Sequence, residues 1–409
     1  DYNIGGRGDD ECWDTTKLDW RVLKQKQPFF QVINLAESHE SRAFGSVENT
    51  KHSPEDTRLA TYHPDILKMR ENYAHYHDAM KKLDAKVGVM LKALKLNGMA
   101  ENTIVIYNSD HGGVLPRSKR FLFNSGTHCP LIIRVPKRLE DLWPAEQPGT
   151  QVDRLVSFVD MPKTWLKITG AEIPAVMQGQ VFLGPEADPE REYHVSFRER
   201  MDERCDNVRA IRNKQFLYVR NYMPFVPRGQ HLTYLWKMEA TRAWEAWHKA
   251  GQTDAVTGRW FGTKPMEELY DTSKDPDNVV NLIDQPEYKE VADVLRRELR
   301  NWQLKVHDSG LLPEAERVKR AADHQTTVHE MVRNRAQYDL VAYLDASDLA
   351  LQQDSGNLAA LLELLEHKDS CIRYWGMVGC YLIAADAKSA QHRIRQALSD
   401  ESHVVRAMA

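Results

Sequence analysis

A long amphipathic segment between two short apolar runs restricts the fold of this chain more than any other pattern. Residues 29–35 and 103–107 have strand length and many aromatic or β-branched side chains, which predicts two strands. Between them, residues 64–97 carry apolar side chains at steps of three and four, the period of one helix face. That stripe consists of Tyr76, Met80, Leu83, Val87, Leu91 and Leu94. Strand, helix and strand in this order predict a right-handed parallel crossover in an α/β core.

Ligand-type side chains follow both predicted strands. His39 comes shortly after the first strand, and Asp110-His111, followed by two glycines, comes directly after the second. Because ligands of parallel sheets bind at the carboxyl ends of the strands, His39, Asp110 and His111 are expected to converge there. Lys119 follows in the next loop. An oxygen ligand, a nitrogen ligand and a cation suit a doubly charged oxyanion held against a divalent metal.

The rest of the chain changes character twice. After a further predicted strand at residues 131–135 and a helix at 152–169, short alternating segments predict an antiparallel sheet, closed by a helix at 287–308. Its strands are expected at residues 193–197, 208–212 and 216–220, with a tight turn at Asn213-Lys214, and residues 267–271 are expected to form a short strand. From about residue 345 the chain is helical. Ile372-Arg373 and Val405-Arg406 recur 33 positions apart, which predicts stacked helix pairs of the HEAT type.

Composition excludes several classes of function. The 55 basic and 59 acidic residues nearly cancel, so no net field favours nucleic acid or an anionic membrane surface. No apolar run approaches the ~18 residues that a membrane span requires. The five cysteines form no CxxC pair, which argues against structural zinc, while free thiols and a disulfide both stay open. The chain starts without methionine and ends inside a helical repeat, so we expect a piece of a longer protein.

Ordered short blocks between Pro28 and Pro313 together resemble the sulfatase family of the alkaline-phosphatase-like superfamily. The blocks are Pro28-Phe29-Phe30 with His39, Leu83-Asp84 with Val87-Gly88, residues 102–105, residues 109–112, Lys119 with Leu122, Gly126-Thr127 with residues 130–132, Val159-Asp160, and residues 268–271 with Asp275-Pro276 and Asn281-Leu282. Each block alone is weak, whereas the ordered set is specific. The stretches 198–202, 209–212 and 220–222 look closest to bacterial sulfatases related to heparan N-sulfatases.

The resemblance implies a role for each candidate residue. Asp110 and His111 match the second pair of ligands to a divalent metal, expected to be Ca²⁺, at a position that is more often Asp-Asn in the family. Because calcium prefers oxygen, His111 is either a weak ligand or a contact to sulfate. His39 matches the histidine that contacts the sulfate and the leaving group. Lys119 matches the basic residue that binds a sulfate oxygen, and His128 is a further candidate for substrate binding.

Other basic residues compete with these candidates. Arg117 and Arg120 flank Lys119 and could each take its role. The basic run from Arg198 to Arg220 is interpreted first as a salt-bridged sheet face, and second as a subsite for a sulfated polysaccharide.

The nucleophile motif of the family is absent. That motif is Cys or Ser followed by x-Pro-Ser-Arg, and its first residue is oxidised to formylglycine. Cys12 is followed by Trp13-Asp14, and Cys129 by Pro130-Leu131. The first-strand aspartate pair and a Gly-Lys-Trp-His segment are absent as well. All of these lie toward the amino terminus of the family, so formylglycine is expected in a missing N-terminal part and this fragment alone is expected to be inactive.

We therefore predict the C-terminal part of an α/β, alkaline-phosphatase-like sulfatase core in residues 1–183 and a smaller α+β subdomain in residues 184–315. Residues 316–343 are expected to form a linker or helix, and residues 344–409 an incomplete HEAT-like segment that offers a surface for a protein partner. The expected substrate is a sulfate ester or sulfamate on a sulfated glycan, with no nucleic acid partner and no membrane span. The resemblance implies a periplasmic or extracellular location. The alternatives are a phosphoester or phosphonate hydrolase of the same superfamily and a non-catalytic binding protein.

Overall fold

The computed structural model describes residues 13–409, so Cys12 lies outside the described residues. The chain forms two compact units. The first contains residues up to Pro116, His128–Glu190 and Tyr234–Ala246, and the second contains Arg117–Thr127, Arg191–Thr233 and Trp247–Ala409. The domain boundaries expected at residues 183, 315 and 343 stay predictions.

Helices and strands are mixed along the chain, as expected of the α/β class. The helices are α1 (Trp20–Gln25), α2 (Leu67–Leu96), α3 (Asn124–Thr127), α4 (Asp160–Thr169), α5 (Glu239–Lys249), α6 (Lys289–Val306), α7 (Glu314–Asp323), α8 (Val328–Met331), α9 (Leu340–Leu351), α10 (Leu358–Leu364), α11 (Ser370–Ile383), α12 (Gln391–Gln396) and α13 (His403–Met408). The strands are β1 (Val105–Asn108), β2 (Leu131–Arg134), β3 (His194–Met201), β4 (Arg204–Arg212), β5 (Phe216–Asn221) and β6 (Glu267–Asp271). Within residues 13–409, no helix has both the length and the apolar character needed to cross a bilayer.

Helix α2 confirms the helix predicted over residues 64–97. Leu83 and Leu94 of the predicted stripe are buried. The helix ends before Gly98, whose φ of +74° is a conformation that glycine adopts without the steric penalty of a Cβ. Leu94 belongs to a small apolar core against which Val105 of β1 packs, so α2 supports the strand that leads to the candidate site.

The predicted parallel crossover is wrong. Residues 29–35 form no strand, and β1 pairs antiparallel with β2, placing Val105 opposite Arg134. An apolar run becomes a strand only where a neighbour takes up its N–H and C=O groups and covers its side chains. No described strand pairs with residues 29–35, and Phe30 and Val32 are 65% and 44% exposed. Strand β1 is also only partly buried, rather than the buried strand that its apolar sequence suggests.

The antiparallel sheet of the second unit is confirmed. Its strands follow the order β3-β4-β5-β6, with every neighbouring pair antiparallel. The turn between β4 and β5 is closed by Asn213, whose side-chain oxygen accepts hydrogen bonds from the backbone N–H groups of Gln215 and Phe216 at 2.9 and 2.7 Å. Helix α6 covers one face, with Leu295 and Leu299 buried against the sheet.

The two arginines of the predicted repeat make the same local contacts. Arg373 in α11 donates from Nη1 to the backbone carbonyls of His367 and Lys368, both at 2.9 Å. Arg406 in α13 donates from Nη1 to the carbonyls of Asp400 and Glu401, at 2.6 and 3.0 Å. In both cases the acceptors lie six and five residues before the arginine. The arginine therefore fixes the turn before its own helix, which gives the 33-residue spacing a structural cause.

Candidate functional site

Asp110 and His111 lie directly after β1, at the position that the sequence predicts. The Asp110 side chain is 89% exposed, whereas that of His111 is 22% exposed. His111 Nε2 lies 3.7 Å from Asp110 Oδ1, so the imidazole and the carboxylate face each other. Ser109 supports this turn, because its hydroxyl donates a 2.6 Å hydrogen bond to the His111 carbonyl.

The proton of the neutral His111 ring is on Nδ1. This assignment rests on the Gly112 carbonyl oxygen, which lies 2.8 Å from Nδ1 and can only accept. The lone pair is then on Nε2, the atom that faces Asp110. Metal-binding imidazoles use a lone pair in this way while the other ring nitrogen donates to a carbonyl group. The local backbone thus prepares His111 to accept rather than to donate at Nε2.

Asp110 and His111 fit two positions of a divalent metal site but do not complete one. A carboxylate oxygen and an imidazole lone pair 3.7 Å apart can contact a common ion. Calcium takes about 6–8 ligands, mostly oxygens. Across residues 13–409, no group of three or more His, Cys, Asp or Glu side chains is arranged to hold a metal. A complete coordination sphere would therefore require further oxygen ligands besides this pair.

The Cys129 thiol lies beside the same turn, where it interacts with Ser109 and with the charge of Asp110. Burial is the main cause of its raised pKa; the Asp110 charge adds to the rise, and the hydrogen bond with Ser109 opposes it. The thiolate is the reactive form of cysteine, and a raised pKa keeps the thiol protonated at neutral pH. Cys129 is accordingly a poor nucleophile, in agreement with the missing motif around it.

His39 is exposed and opens a short 3₁₀ turn, Glu40–Ala43. Its Nδ1 accepts a hydrogen bond from the Ser41 backbone N–H at 3.2 Å and lies 2.8 Å from the Ser41 hydroxyl. Because Nδ1 accepts, the neutral ring carries its proton on Nε2. Among the described contacts, none joins His39 to Asp110 or His111, so their convergence stays a prediction.

Lys119 belongs to the second compact unit, where it is half-buried. The two arginines that compete for its role are committed to other contacts. Arg117 donates to the backbone carbonyls of residues 277 and 278, at 2.8 and 2.6 Å. Arg120 Nε lies 2.9 Å from the Asp202 carboxylate. Both guanidinium groups therefore stabilise the fold of this unit, and the oxyanion contact of Lys119 stays a prediction.

His128 is exposed just before β2, and its ring makes no hydrogen bond within the part of the chain that the structure describes. Strand pairing places Asn108 opposite Leu131. That register brings the chain before β2 alongside the chain after β1, which explains why Cys129 and Asp110 interact. His128 therefore enters the neighbourhood of the Asp110 turn, although its role as a substrate contact stays a prediction.

The basic run from Arg198 to Arg220 forms a salt-bridged sheet face in part, as the first interpretation expects. Arg209 Nη2 lies 2.7 Å from Asp308, and Arg220 Nη1 lies 3.0 Å from Glu267. Both guanidinium groups are buried. These two arginines are consequently occupied by the fold rather than available to a polysaccharide.

Sequence reasoning missed the residues that support the candidates. Ser41 lies two positions after His39, and a serine at that spacing is a local signal for a side-chain contact to the turn. Ser109 offers a similar local signal before Asp110. Cys129 has no such signal, because its place beside Asp110 depends on the antiparallel pairing of β1 with β2.

Comparisons with known proteins point to one family. Residues 12–171 match the sulfatase family model. An ulvan-active sulfatase of Formosa agariphila is 31% identical over 76% of this chain and 57% of its own length. The N-sulphoglucosamine sulphohydrolase of Homo sapiens is 24% identical over 63% of this chain and 52% of its own length.

A solved phosphonate monoester hydrolase of Silicibacter pomeroyi is 18% identical over 63% of this chain and 46% of its own, with a TM-score of 0.41. A likeness of this size carries no conclusion about reaction or fold. The chain spans little more than half the length of these two relatives. Over residues 12–171, this chain carries a sulfatase-family domain.

Proposed function

We propose that this protein is a sulfatase that hydrolyses a sulfate ester or a sulfamate on a sulfated glycan. The observation that carries the proposal is the pair at the end of β1, where the lone pair of His111 faces the exposed carboxylate of Asp110 in a sulfatase-family domain. The names of the two relatives, an ulvan-active sulfatase and an N-sulphoglucosamine sulphohydrolase, support a glycan carrying an ester or N-linked sulfate.

Asp110 and His111 would hold one side of a divalent metal, which we propose to be Ca²⁺. A bound ion supplies positive charge against the sulfuryl oxygens, where negative charge develops in the transition state. Asp110 contributes the oxygen that calcium prefers. His111 contributes either a weaker nitrogen contact to the metal or, when its Nε2 is protonated, a hydrogen bond to a sulfate oxygen. Its Nδ1–H bond to the Gly112 carbonyl holds the ring in one orientation for both roles.

Lys119 and His39 are proposed to act on the two ends of the reacting group. Lys119 would pair with a sulfate oxygen, the role that the resemblance to the family implies for it. His39, when protonated, would donate its Nε2 proton to the departing oxygen or nitrogen and become a neutral ring, whose free Nδ1 can accept from the Ser41 N–H. Positioned general acids contribute about 10²–10⁴-fold to a rate. His128, exposed beside the Asp110 turn, is proposed as a further substrate contact.

The nucleophile is proposed to be a formylglycine outside residues 1–409, which supplies the oxygen that attacks sulfur. The raised pKa of the Cys129 thiol supports a nucleophile other than this cysteine. Residues 1–183 are proposed as the C-terminal part of the alkaline-phosphatase-like core and residues 184–315 as its smaller subdomain. Residues 344–409 are proposed as HEAT-like helices, because Arg373 and Arg406 repeat the same contacts. Their proposed role is to offer a surface to a protein partner.

The decisive experiment compares two Asp-His pairs of the chain. In the full-length protein, Asp110→Asn is expected to lower kcat/KM for an aryl sulfate by about 10²–10³-fold, the scale of losing one electrostatic contact to the transition state. Asp323 precedes His324 at the end of α7 and pairs with Lys319, both exposed, so Asp323→Asn is the matched control and should retain full activity. Equal turnover by both variants would refute the metal role. Hydrolysis of aryl phosphonate without any hydrolysis of aryl sulfate would refute the sulfatase proposal.

A leaving-group series tests His39 separately. His39→Ala is expected to reduce hydrolysis of a sulfated sugar by about 10²–10⁴-fold, because a poor leaving group needs a proton. A nitrophenyl sulfate should lose much less, since its leaving group departs as an anion. Ser41→Ala, which removes the hydroxyl but keeps the backbone bond, should give the same pattern at smaller size. Equal losses for both leaving groups would show that His39 binds sulfate without donating a proton.

A further inference from the structure

A small cavity in the second unit is lined by more positive than negative charge. Its volume is about 20 Å³, and it lies among side chains of β3, β4 and β5 and of Phe121 and Phe123. The charged side chains that line it are Arg198, Asp206, Arg228 and Lys264, each at most 8% exposed. Three cations thus share the lining with one carboxylate.

Two of the three cations have carboxylate partners. The Lys264 ammonium pairs with Asp206, and both groups are almost completely buried. Arg228 Nη2 lies 2.5 Å from the buried carboxylate of Glu268. Burial lowers the pKa of Lys264 to about 8; Asp206 opposes this change, and the charges of Arg228 and Arg198 add to it. The cavity lining therefore carries more positive than negative charge, and the excess acts on Lys264 although Lys264 is paired with Asp206.

Arg198 has no carboxylate within ion-pair distance among residues 13–409; the charges of Asp206 and Asp202 act on it only from further away. Its Nη1 donates to the backbone carbonyl of Arg120 at 3.0 Å, and its guanidinium lies 4.5 Å from the centre of the Phe121 ring. Among the described residues, nothing accepts a hydrogen bond from its buried Nε and Nη2. A buried guanidinium cannot escape the penalty of burial by losing its proton, since arginine stays charged in proteins. A residue that lines the cavity is thus left with two unused donors and a buried positive charge.

We infer that this cavity binds a monatomic anion of the size of chloride, held by Nε and Nη2 of Arg198. A water molecule requires about 10–15 Å³ of space, so a cavity of about 20 Å³ has room for a small ion or a water molecule. Water would accept the two hydrogen bonds but would leave the charge of Arg198 uncompensated. A halide would accept both hydrogen bonds and compensate the charge as well. The site is independent of the proposed sulfatase chemistry.

Bromide is the direct probe, because it has the charge of chloride, is only slightly larger and scatters X-rays anomalously. Crystals of the protein soaked in sodium bromide are expected to show an anomalous peak in the cavity, within hydrogen-bond distance of Arg198 Nε and Nη2. The inference would be overturned by a peak of water density in the cavity without anomalous signal, provided that bromide is seen at surface sites of the same crystals.

Thermal unfolding gives the solution measurement. At constant ionic strength, replacing gluconate by chloride is expected to raise Tm progressively, since a ligand that binds only the folded state stabilises it by mass action. Arg198→Met should abolish the chloride dependence. The matched control is Arg200→Met on the same strand, because Arg200 is 55% exposed and pairs with Glu314 at 2.7 Å; it should retain the dependence.

Equal Tm values of the unsubstituted protein in chloride and gluconate would contradict the inference, as would a chloride dependence that survives Arg198→Met. Should Arg198→Met fail to fold, the bromide experiment on the unsubstituted protein still decides between an anion and a water molecule.

Discussion

The turn after β1 and the buried charges of the second unit use similar side chains in opposite ways. Asp110 is 89% exposed, and the imidazole of His111 lies 3.7 Å from its carboxylate. Asp206 is 2% exposed and pairs with Lys264, which is 1% exposed. A buried charge requires a partner because water no longer solvates it, whereas an exposed carboxylate keeps its hydration and can exchange water for an ion. Exposure therefore separates charges available to a ligand from charges committed to the fold.

The largest expected effect comes from breaking the buried pair. Lys264→Met leaves the Asp206 carboxylate buried without its cation, which we expect to lower the free energy of unfolding by about 3–5 kcal/mol. Denaturant unfolding of the purified protein measures this change. Lys319→Met removes one member of an exposed pair with Asp323 and serves as the control, whose unfolding midpoint should not move. A midpoint that shifts equally in both variants would mean that burial does not distinguish the two pairs.

The same lysine predicts how stability depends on pH. The pKa of Lys264 is lowered to about 8 in the folded protein, from 10.5 in the unfolded chain. Between these values the unfolded state binds more protons, so the free energy of unfolding should rise with pH, by at most ~1.4 kcal/mol per unit. The rise should be measured from pH 8 to 9.5, below the range in which tyrosines of the unfolded chain ionise. Burial raises the pKa of Tyr218 and Tyr270 in the folded protein, so their effect at higher pH is to lower the free energy of unfolding.

Lys264→Met should remove that rise. A flat profile from pH 8 to 9.5 in the unsubstituted protein would show that Lys264 titrates near its ordinary value, and that Asp206 compensates its burial fully.

Elements whose partners lie close in sequence were predicted better than elements that depend on a segment far along the chain. The sheet β3-β4-β5 was predictable, because each pair is joined by a short turn such as that at Asn213. Residues 29–35 have the composition of a strand, but a strand depends on neighbours that its own sequence does not specify. At the site, the placement of Asp110 after β1 was predictable. The tautomer of His111 was not, because it depends on where the Gly112 carbonyl points.

Arg198 shows the same limit among charged residues. In the sequence it is one of several arginines in the segments predicted as strands, and its sequence neighbours do not distinguish it from Arg209. The difference arises in three dimensions, since Arg209 finds Asp308, about a hundred positions along the chain, at 2.7 Å. Arg198 instead stacks on Phe121 and has no carboxylate partner among the described residues.

The smallest expected effect is the change in stability when Asp110 is replaced. Asp110→Asn alters an 89% exposed side chain that has His111 as its neighbour, so the unfolding midpoint should stay unchanged even where the proposed sulfatase activity is lost. Surface substitutions usually change stability by less than about 0.5 kcal/mol. Denaturant unfolding of the variant in EDTA, beside its activity, gives the measurement. In added Ca²⁺ the unsubstituted protein should become more stable than the variant, because an ion bound only by the folded state stabilises it. A loss of stability in EDTA comparable with that of Lys264→Met would mean that the Asp110 carboxylate supports the fold, and that the turn after β1 does not differ in kind from the buried pair.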